Sequence, residues 1–503
     1  MRQTFSSIPE LKSLITILLP VALWAMLFVG LGAGSASEIW APSGLRSFTY
    51  GIRAVLPFTV AGSAAVFIVY RTLQGHTPQG SIFGPLGLAS LYGIIGFIAA
   101  FNSPDGSVAL WWTGLYLSVP IVLWGIVWTT DPLDQIRPLV NATWLAVALA
   151  AGVLLLVAFF KLDLIERIQD PSLFLKCQQS NWLDLTSGRI RSTGVGRYAA
   201  ITALIAISGM WMPKWRPAWS VLLVISLVLL LYTSARGSFV GFGVGAALIL
   251  IIYMISSGRK ALVTGLVVVA ITVPVLWSTG VGDEFLENCF FRSGGDTGNS
   301  STRQPKQIPS VAPLPVTPLV KRSSTGEPLI TTSPNSEPLI TTSPNSEPLI
   351  TTSPNGDSSL KQIPAGFYSF SGRQAVWSDG WGLFKESPFW GYGFQADRLM
   401  LGTHMHNSVM HAMLQTGLLG TIPFVLAIVF AWILLLRLVK NLPVLASSDK
   451  HLVIQCAGVL AFFTMRSFPE STGAFFGVDW LIVAVMLFYL QLVNSKYHPS
   501  KAT

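Results

Sequence analysis

Charge is what this sequence has least of. Asp, Glu, Lys and Arg make up 11% of its 503 residues, against roughly 25% in a soluble globular domain, which excludes a chain whose whole surface faces water. Cysteine is scarce too: Cys177, Cys289 and Cys456 are the three present. None forms a C-x-x-C pair, so neither a zinc knuckle nor a redox dithiol is signalled, and a Cys177 to Cys289 disulfide stays open. No nucleic-acid module is visible despite the formal net charge of +9. Most Lys and Arg stand at the ends of apolar blocks, where orienting a membrane protein accounts for them.

What is abundant is apolar: 51% of residues are hydrophobic, gathered in blocks of about 17 to 23, the length a helix needs to cross a bilayer. The pattern predicts an all-α polytopic membrane protein with about twelve transmembrane helices. They are expected near 14–31, 54–70, 82–101, 108–128, 139–160, 198–212, 219–231, 240–255, 261–277, 417–436, 452–465 and 475–492. The first block follows Arg2 and Lys12 but lacks a convincing small-residue cleavage site, so it is read as a retained helix rather than a signal peptide.

Basic residues orient the bundle. With the N-terminus placed inside, the inner tails and connections carry Arg2, Lys12, Arg71, Arg137, Lys214, Arg216, Arg259, Lys260, Arg437, Lys440, Lys450, Lys496 and Lys501. The short outer connections carry only Arg46, Arg53, Arg236 and Arg466. This imbalance predicts cytoplasmic termini and two long outer connections. The expected organisation is membrane helices 1–5 in 1–160, an Arg-rich outer loop in 161–197, helices 6–9 in 198–277, a large outer loop in 278–416, and helices 10–12 with the tail in 417–503. Within the large loop, a ten-residue unit rich in Pro, Ser and Thr recurs over 327–356. A stretch of that composition over 296–363 buries too little apolar surface to offset its ordering entropy, and is expected to be a disordered insertion.

Order is expected to return at Ser371. Ser371 and Gln374 match a capping box, and Trp377, Trp381 and Phe384 share one helical face, predicting an amphipathic helix at the outer interface with its tryptophans at headgroup level. Arg373 sits in its first turn, where the helix dipole favours anions. Either an anionic ligand such as phosphate or an ion pair with Glu386 or Asp379 would account for it. His404, His406 and His411 follow closely. They read as a metal cluster lacking a clear fourth ligand, as a general base, or as ordinary packed histidines. Upstream, Arg189, Arg191 and Arg197 lie among glycines, and Arg236 occupies a very short turn between apolar helices, an expensive place for a charge unless it is paired or functional. Arginines around a histidine at one membrane face suit a diphosphate-bearing substrate.

Ser371-Gly-Arg-Gln-x-x-Trp377, then Pro388-x-x-Gly-Tyr-Gly-Phe394, then His406-Asn-Ser with Gly417 and Gly420, resembles the O-antigen ligase and polymerase superfamily. Ser234-Ala-Arg-Gly237 and the Arg-rich loop look like its other marks. The resemblance covers about 189–436 without the repeats. The first arginine loop departs from it in lacking an asparagine-rich form found in some members. The resemblance implies a GT-C-like, metal-independent glycosyltransferase in the bacterial inner membrane, without cofactor. Such an enzyme takes a glycan from undecaprenyl diphosphate to a lipid or saccharide acceptor on the periplasmic face. It further implies that Arg236 and Arg373 hold the diphosphate with Arg191 or Arg197 assisting, Arg189 in support, His406 taking the acceptor proton and Asn407 orienting the acceptor. A polymerase of the same superfamily is the first alternative. A transporter of an anion or small solute is the second, weakened by the lack of an obvious inverted repeat.

Overall fold

The computed structural model describes residues 20–31, 43–79, 83–161, 164–169, 182–185, 188–212, 215–233, 235–257 and 373–497. In chain order these form α1 (Pro20–Leu31), α2 (Ser43–Leu73), α3 (Pro85–Ala99), α4 (Gly106–Val127), α5 (Pro132–Lys161), α6 (Leu164–Gln169), β1 (Trp182–Leu185), β2 (Gly188–Arg191), α7 (Ser192–Gly209), α8 (Arg216–Thr233), α9 (Arg236–Ser257), α10 (Arg373–Glu386), α11 (Ala396–Leu401), α12 (Ser408–Lys440), α13 (Ser447–Arg466) and α14 (Val478–Tyr497). The protein is a mostly helical, multi-pass membrane protein.

Among the described residues, eight helices are long and apolar enough to cross a membrane: α2 to α5, α8, α9, α12 and α14, with α3 counted through the short 3-10 turn that extends it to Asn102. Two more expected spans are helices of ample length but lower hydropathy. The first, α7, is rich in Gly, Ser and Thr and carries Arg197, while α13 begins with Asp449, Lys450 and His451 and ends at Arg466. Both are largely buried, so neighbouring helices rather than lipid surround their polar groups. The first expected span is a short helix, α1. The expected span at 261–277, the repeat insertion, Cys177 and Cys289 lie outside the described residues.

Two boundaries differ from expectation. The Arg-rich loop is partly ordered as an antiparallel hairpin pairing Trp182 with Arg191 and Asp184 with Arg189, a small strand element in an otherwise helical protein, and α7 starts at Ser192 rather than Tyr198. Similarly, α12 starts at Ser408, with Asn407 as its cap, rather than at Gly417. The apolar run begins late because the first two turns carry the buried polar side chains of Ser408, His411 and Gln415.

The core is centred on α14, which is buried over almost its whole length. Trp480 stacks on Tyr116 with ring centroids 4.3 Å apart and donates to the Tyr116 carbonyl at 3.0 Å. Close crossing elsewhere rests on small residues. A methyl group at Gly245 of α9 would lie 2.6 Å from the Gly458 carbonyl of α13, the near-contact of backbones that drives helix association where hydrophobic burial cannot.

At one end of the bundle, Arg137 of α5 forms a two-point ion pair with buried Asp449 of α13, at 2.8 Å through both Nε and Nη2, and also contacts Asp134. Tyr489 and Tyr497 donate to Asp449 at 3.1 Å. The opposite end gathers the starts of α7, α9, α12 and α14 and the end of α13.

Candidate functional site

The loop between α13 and α14 organises that second end. Its backbone is stitched to the start of α12: the Ser408 amide donates to the Ser467 carbonyl at 2.9 Å, and the Ser408 hydroxyl lies 3.0 Å from the carbonyls of Glu470 and Thr472. Asn407 works in two directions. Its side-chain oxygen caps α12 by accepting from the Met410 amide at 3.0 Å, and its nitrogen donates to the Phe468 carbonyl at 3.2 Å.

His406 is thereby presented under constraint. Its φ of +50° lies in the left-handed region, uncommon for a side-chain-bearing residue and concentrated at functional sites. The residue before it is held at both ends: the Met405 amide donates to Asp397 Oδ2 at 3.2 Å, and the Met405 carbonyl accepts from Trp377 Nε1 at 2.6 Å. Nδ1 of His406 lies 3.4 Å from Glu470 Oε2. Burial alone would raise the Glu470 carboxyl, but the His406 bond, Arg466 and Arg373 together bring it down to about 2, so it stays ionised at neutral pH.

Arginines surround this pair. Arg373, first residue of α10, donates to the Pro469 carbonyl at 2.9 Å, and its Nη2 lies 3.9 Å from Glu470, rather than pairing with Glu386 or Asp379. Arg466 and Arg197 share Asp479, at 2.7 Å and 2.9 Å. Arg236 opens α9 with its side chain exposed. Its neighbour Gly237 abuts the same loop, since a methyl group there would sit 3.5 Å from Pro469. Arg189 and Arg191 lie on β2, which leads straight into α7; their side chains are outside the described residues. The structure thus brings His406, Asn407, Arg373, Arg197 and the Arg236 turn to one end of the bundle. The cluster holds three described arginines, at 197, 373 and 466, around two carboxylates, and it can bind an anion beside an imidazole.

Glu470 and Asp479 belong to no motif in the sequence, and Arg466 there marks only topology. A signal existed: ionisable residues bracketing an apolar helix mark pairing or function. The tryptophan reading needs correction as well. Trp377 turns inward to hold Met405, and Phe384 is buried, while Trp381 remains 46% exposed. The three histidines also separate. His406 faces Glu470, whereas His404 and His411 face Asp397 at 3.2 Å and 2.9 Å.

The glycine motifs splice the preceding loop into α12. At Gly417 the helix is broken by φ +58°, and the chain at Pro388 and Phe389 fills the gap by accepting from the amides of Leu418 and Leu419 at 2.8 Å and 3.2 Å. A methyl group on Gly417 would sit 2.2 Å from the Phe389 carbonyl carbon, and one on Gly391 would meet backbone at 2.6 Å. Only glycine fits this crossing.

The O-antigen ligase family model matches residues 349–425, spanning α10, the spliced glycine loop, His406 and the first half of α12. That stretch is similar to the O-antigen ligase family. The O-antigen ligase match ends before α13, so Arg466, Glu470 and Asp479 reach the site from outside it. No curated protein matches the sequence.

Proposed function

We propose that this O-antigen ligase-family protein is a glycosyltransferase of the bacterial inner membrane that moves a glycan from undecaprenyl diphosphate to a lipid or saccharide acceptor. The observation that carries the reading is His406 standing beside an ionised Glu470, within a cluster where guanidinium groups outnumber carboxylates. In this reading the protein has twelve spans, both termini are cytoplasmic and the site faces the periplasm, as the distribution of basic residues supports.

The chemistry follows from the geometry. Glu470 accepts from Nδ1–H of His406, leaving Nε2 to take a proton, the orienting logic of a base held by a carboxylate. The acceptor hydroxyl attacks the anomeric carbon, its proton passes to Nε2, and the bond from that carbon to the diphosphate oxygen breaks. The departing diphosphate takes the electron pair. Arg236 and Arg373, assisted by Arg197 or Arg191, stabilise that charge without requiring a divalent cation at the leaving group. Arg189 supports the loop, and Asn407 fixes the orientation of the start of α12. Such donors act more strongly on the transition state than on bound donor, because charge on the bridging oxygen rises as the bond breaks.

Ligation to a lipid acceptor is the first reading and chain polymerisation the alternative within the same superfamily. The test is transfer by purified protein in liposomes from labelled undecaprenyl-diphosphate glycan, without added magnesium or manganese. Transfer to added lipid acceptor is expected; elongation of the donor glycan instead would assign polymerisation, and no transfer at all would refute the reading.

A further inference from the structure

Behind His406 lies a second cluster that the proposed transfer does not use. Asp397 of α11 and His411 in the first turn of α12 are fully buried, and His404 lies between them on the connecting loop. One ligand atom from each of the three falls within 4.8 Å of the other two. Asp397 Oδ2 is 2.9 Å from His411 Nδ1 and 3.2 Å from His404 Nδ1. The edge of a tetrahedron around a zinc ion with bonds of about 2.0–2.1 Å is roughly 3.3 Å, so the separations suit one ion with modest adjustment.

Two further observations point to a ligand. Asp397 Oδ1 and His411 Nδ1 are both buried without a hydrogen-bond partner, although Nδ1 lies close to Oδ2, because the direction of approach is wrong for a hydrogen bond. The other side of His411 is fixed through the Gln415 side chain. The Gln415 amide is satisfied when its oxygen accepts from the Gln395 amide at 3.1 Å and its nitrogen donates to the Ala474 carbonyl at 3.1 Å and to the Tyr92 hydroxyl oxygen at 2.6 Å. That orientation makes its oxygen the acceptor for His411 Nε2–H at 2.6 Å. An unprotonated Nδ1 of a neutral His411 is then left 2.9 Å from a carboxylate oxygen. A cation between them resolves the conflict, and an imidazole whose other nitrogen donates to an amide oxygen is the usual outer-shell arrangement of a metal ligand.

We infer that Asp397, His404 and His411 form a zinc-class divalent cation site that fastens the loop carrying His406. It is structural: His406 itself points to Glu470, and the inference does not depend on the transfer reaction. One contact opposes it. Arg398 donates to His404 Nε2, the nitrogen that carries the proton when Nδ1 binds metal. Arg398 is exposed, so its side chain turns away on metal binding, and its removal should favour the ion.

The experiment uses full-length protein in detergent, stripped with chelator and dialysed, then loaded with Zn2+ or Co2+ and read by metal content, Co2+ visible absorption and melting temperature. One ion per chain, a tetrahedral Co2+ spectrum and a raised melting temperature are expected. His404→Ala should weaken binding at least tenfold, Arg398→Ala should strengthen it, and His406→Ala should leave it unchanged. Because Asp397→Ala risks misfolding, Asp397→Asn serves as the second ligand variant and should also lose the ion. If the parent binds no more metal than His404→Ala, or if His406→Ala abolishes binding, the site is refuted and the trio is a proton-linked ion pair.

Discussion

The two ends of the helical bundle handle buried charge in opposite ways. At the Arg137 end a single guanidinium meets two carboxylates, with two tyrosine hydroxyls completing the coordination of Asp449. The group is closed, and its work is to tie α5, α13 and α14 together. At the His406 end, Arg197, Arg373 and Arg466 meet Glu470 and Asp479, with an imidazole in the same cluster. Positive charge exceeds negative there, and the backbone at His406 is held in a left-handed conformation. A buried carboxylate whose bonds are all answered by a guanidinium and two hydroxyls reads as structure; a cluster with an excess of cations and a strained backbone reads as a place where an anionic ligand belongs.

The largest effect that would sharpen this contrast is on catalysis. His406→Ala should lower glycan transfer by about 100-fold or more, in the range general bases contribute, while Arg137→Ala at matched folded protein should leave transfer within about threefold. Arg137→Ala should instead lower stability, by about 3–5 kcal/mol where removal strands a buried partner charge, read as a drop in melting temperature in detergent. Next, Arg373→Ala should reduce transfer about 10- to 100-fold, with most of the loss in kcat if its role is charge stabilisation in the transition state. A loss confined to KM would move Arg373 to donor binding alone.

Acid offers a finer probe. Glu470 sits lower in the folded protein than an ordinary carboxyl, at about 2, so its contribution to stability is complete above the unfolded value of about 4.3. That contribution falls away as pH drops toward 2. It is on the order of 2–3 kcal/mol at neutral pH by the usual linkage of shift to free energy. Glu470→Gln should therefore destabilise the protein at pH 7 and flatten its stability profile between pH 5 and 3. An unchanged acid profile in that variant would show that Glu470 is not held by the surrounding cations. The smallest expected effect comes from deleting 327–356, which should leave transfer within about twofold if those repeats are only a tether.

Much of the architecture was legible because lipid imposes a long apolar period that few other folds share. The short turn around Arg236 and the helix starting at Arg373 were readable from local chemistry, whereas the cap at Asn407 was not, because the apolar run of that span begins later. The hidden parts depended on long-range pairing. Asp479 belongs to Arg197 and Arg466, residues 282 and 13 positions away, and Glu470 acquires its role from Arg373 and His406, which no local pattern joins to it. The polar helices α7 and α13 defeat a hydropathy reading for a related reason, since their charges are answered by other helices rather than by lipid. Trp377 shows the same limit: its helical face was readable, but not that the face turns toward Met405.

The measurement that tests the central contrast most directly is glycan transfer from labelled undecaprenyl diphosphate in proteoliposomes, comparing parent, His406→Ala and Arg137→Ala at equal amounts of folded protein. The cation-rich end being the reaction centre predicts transfer in parent and Arg137→Ala and near-complete loss in His406→Ala. Normal transfer by His406→Ala, or equal loss in both variants, would contradict it.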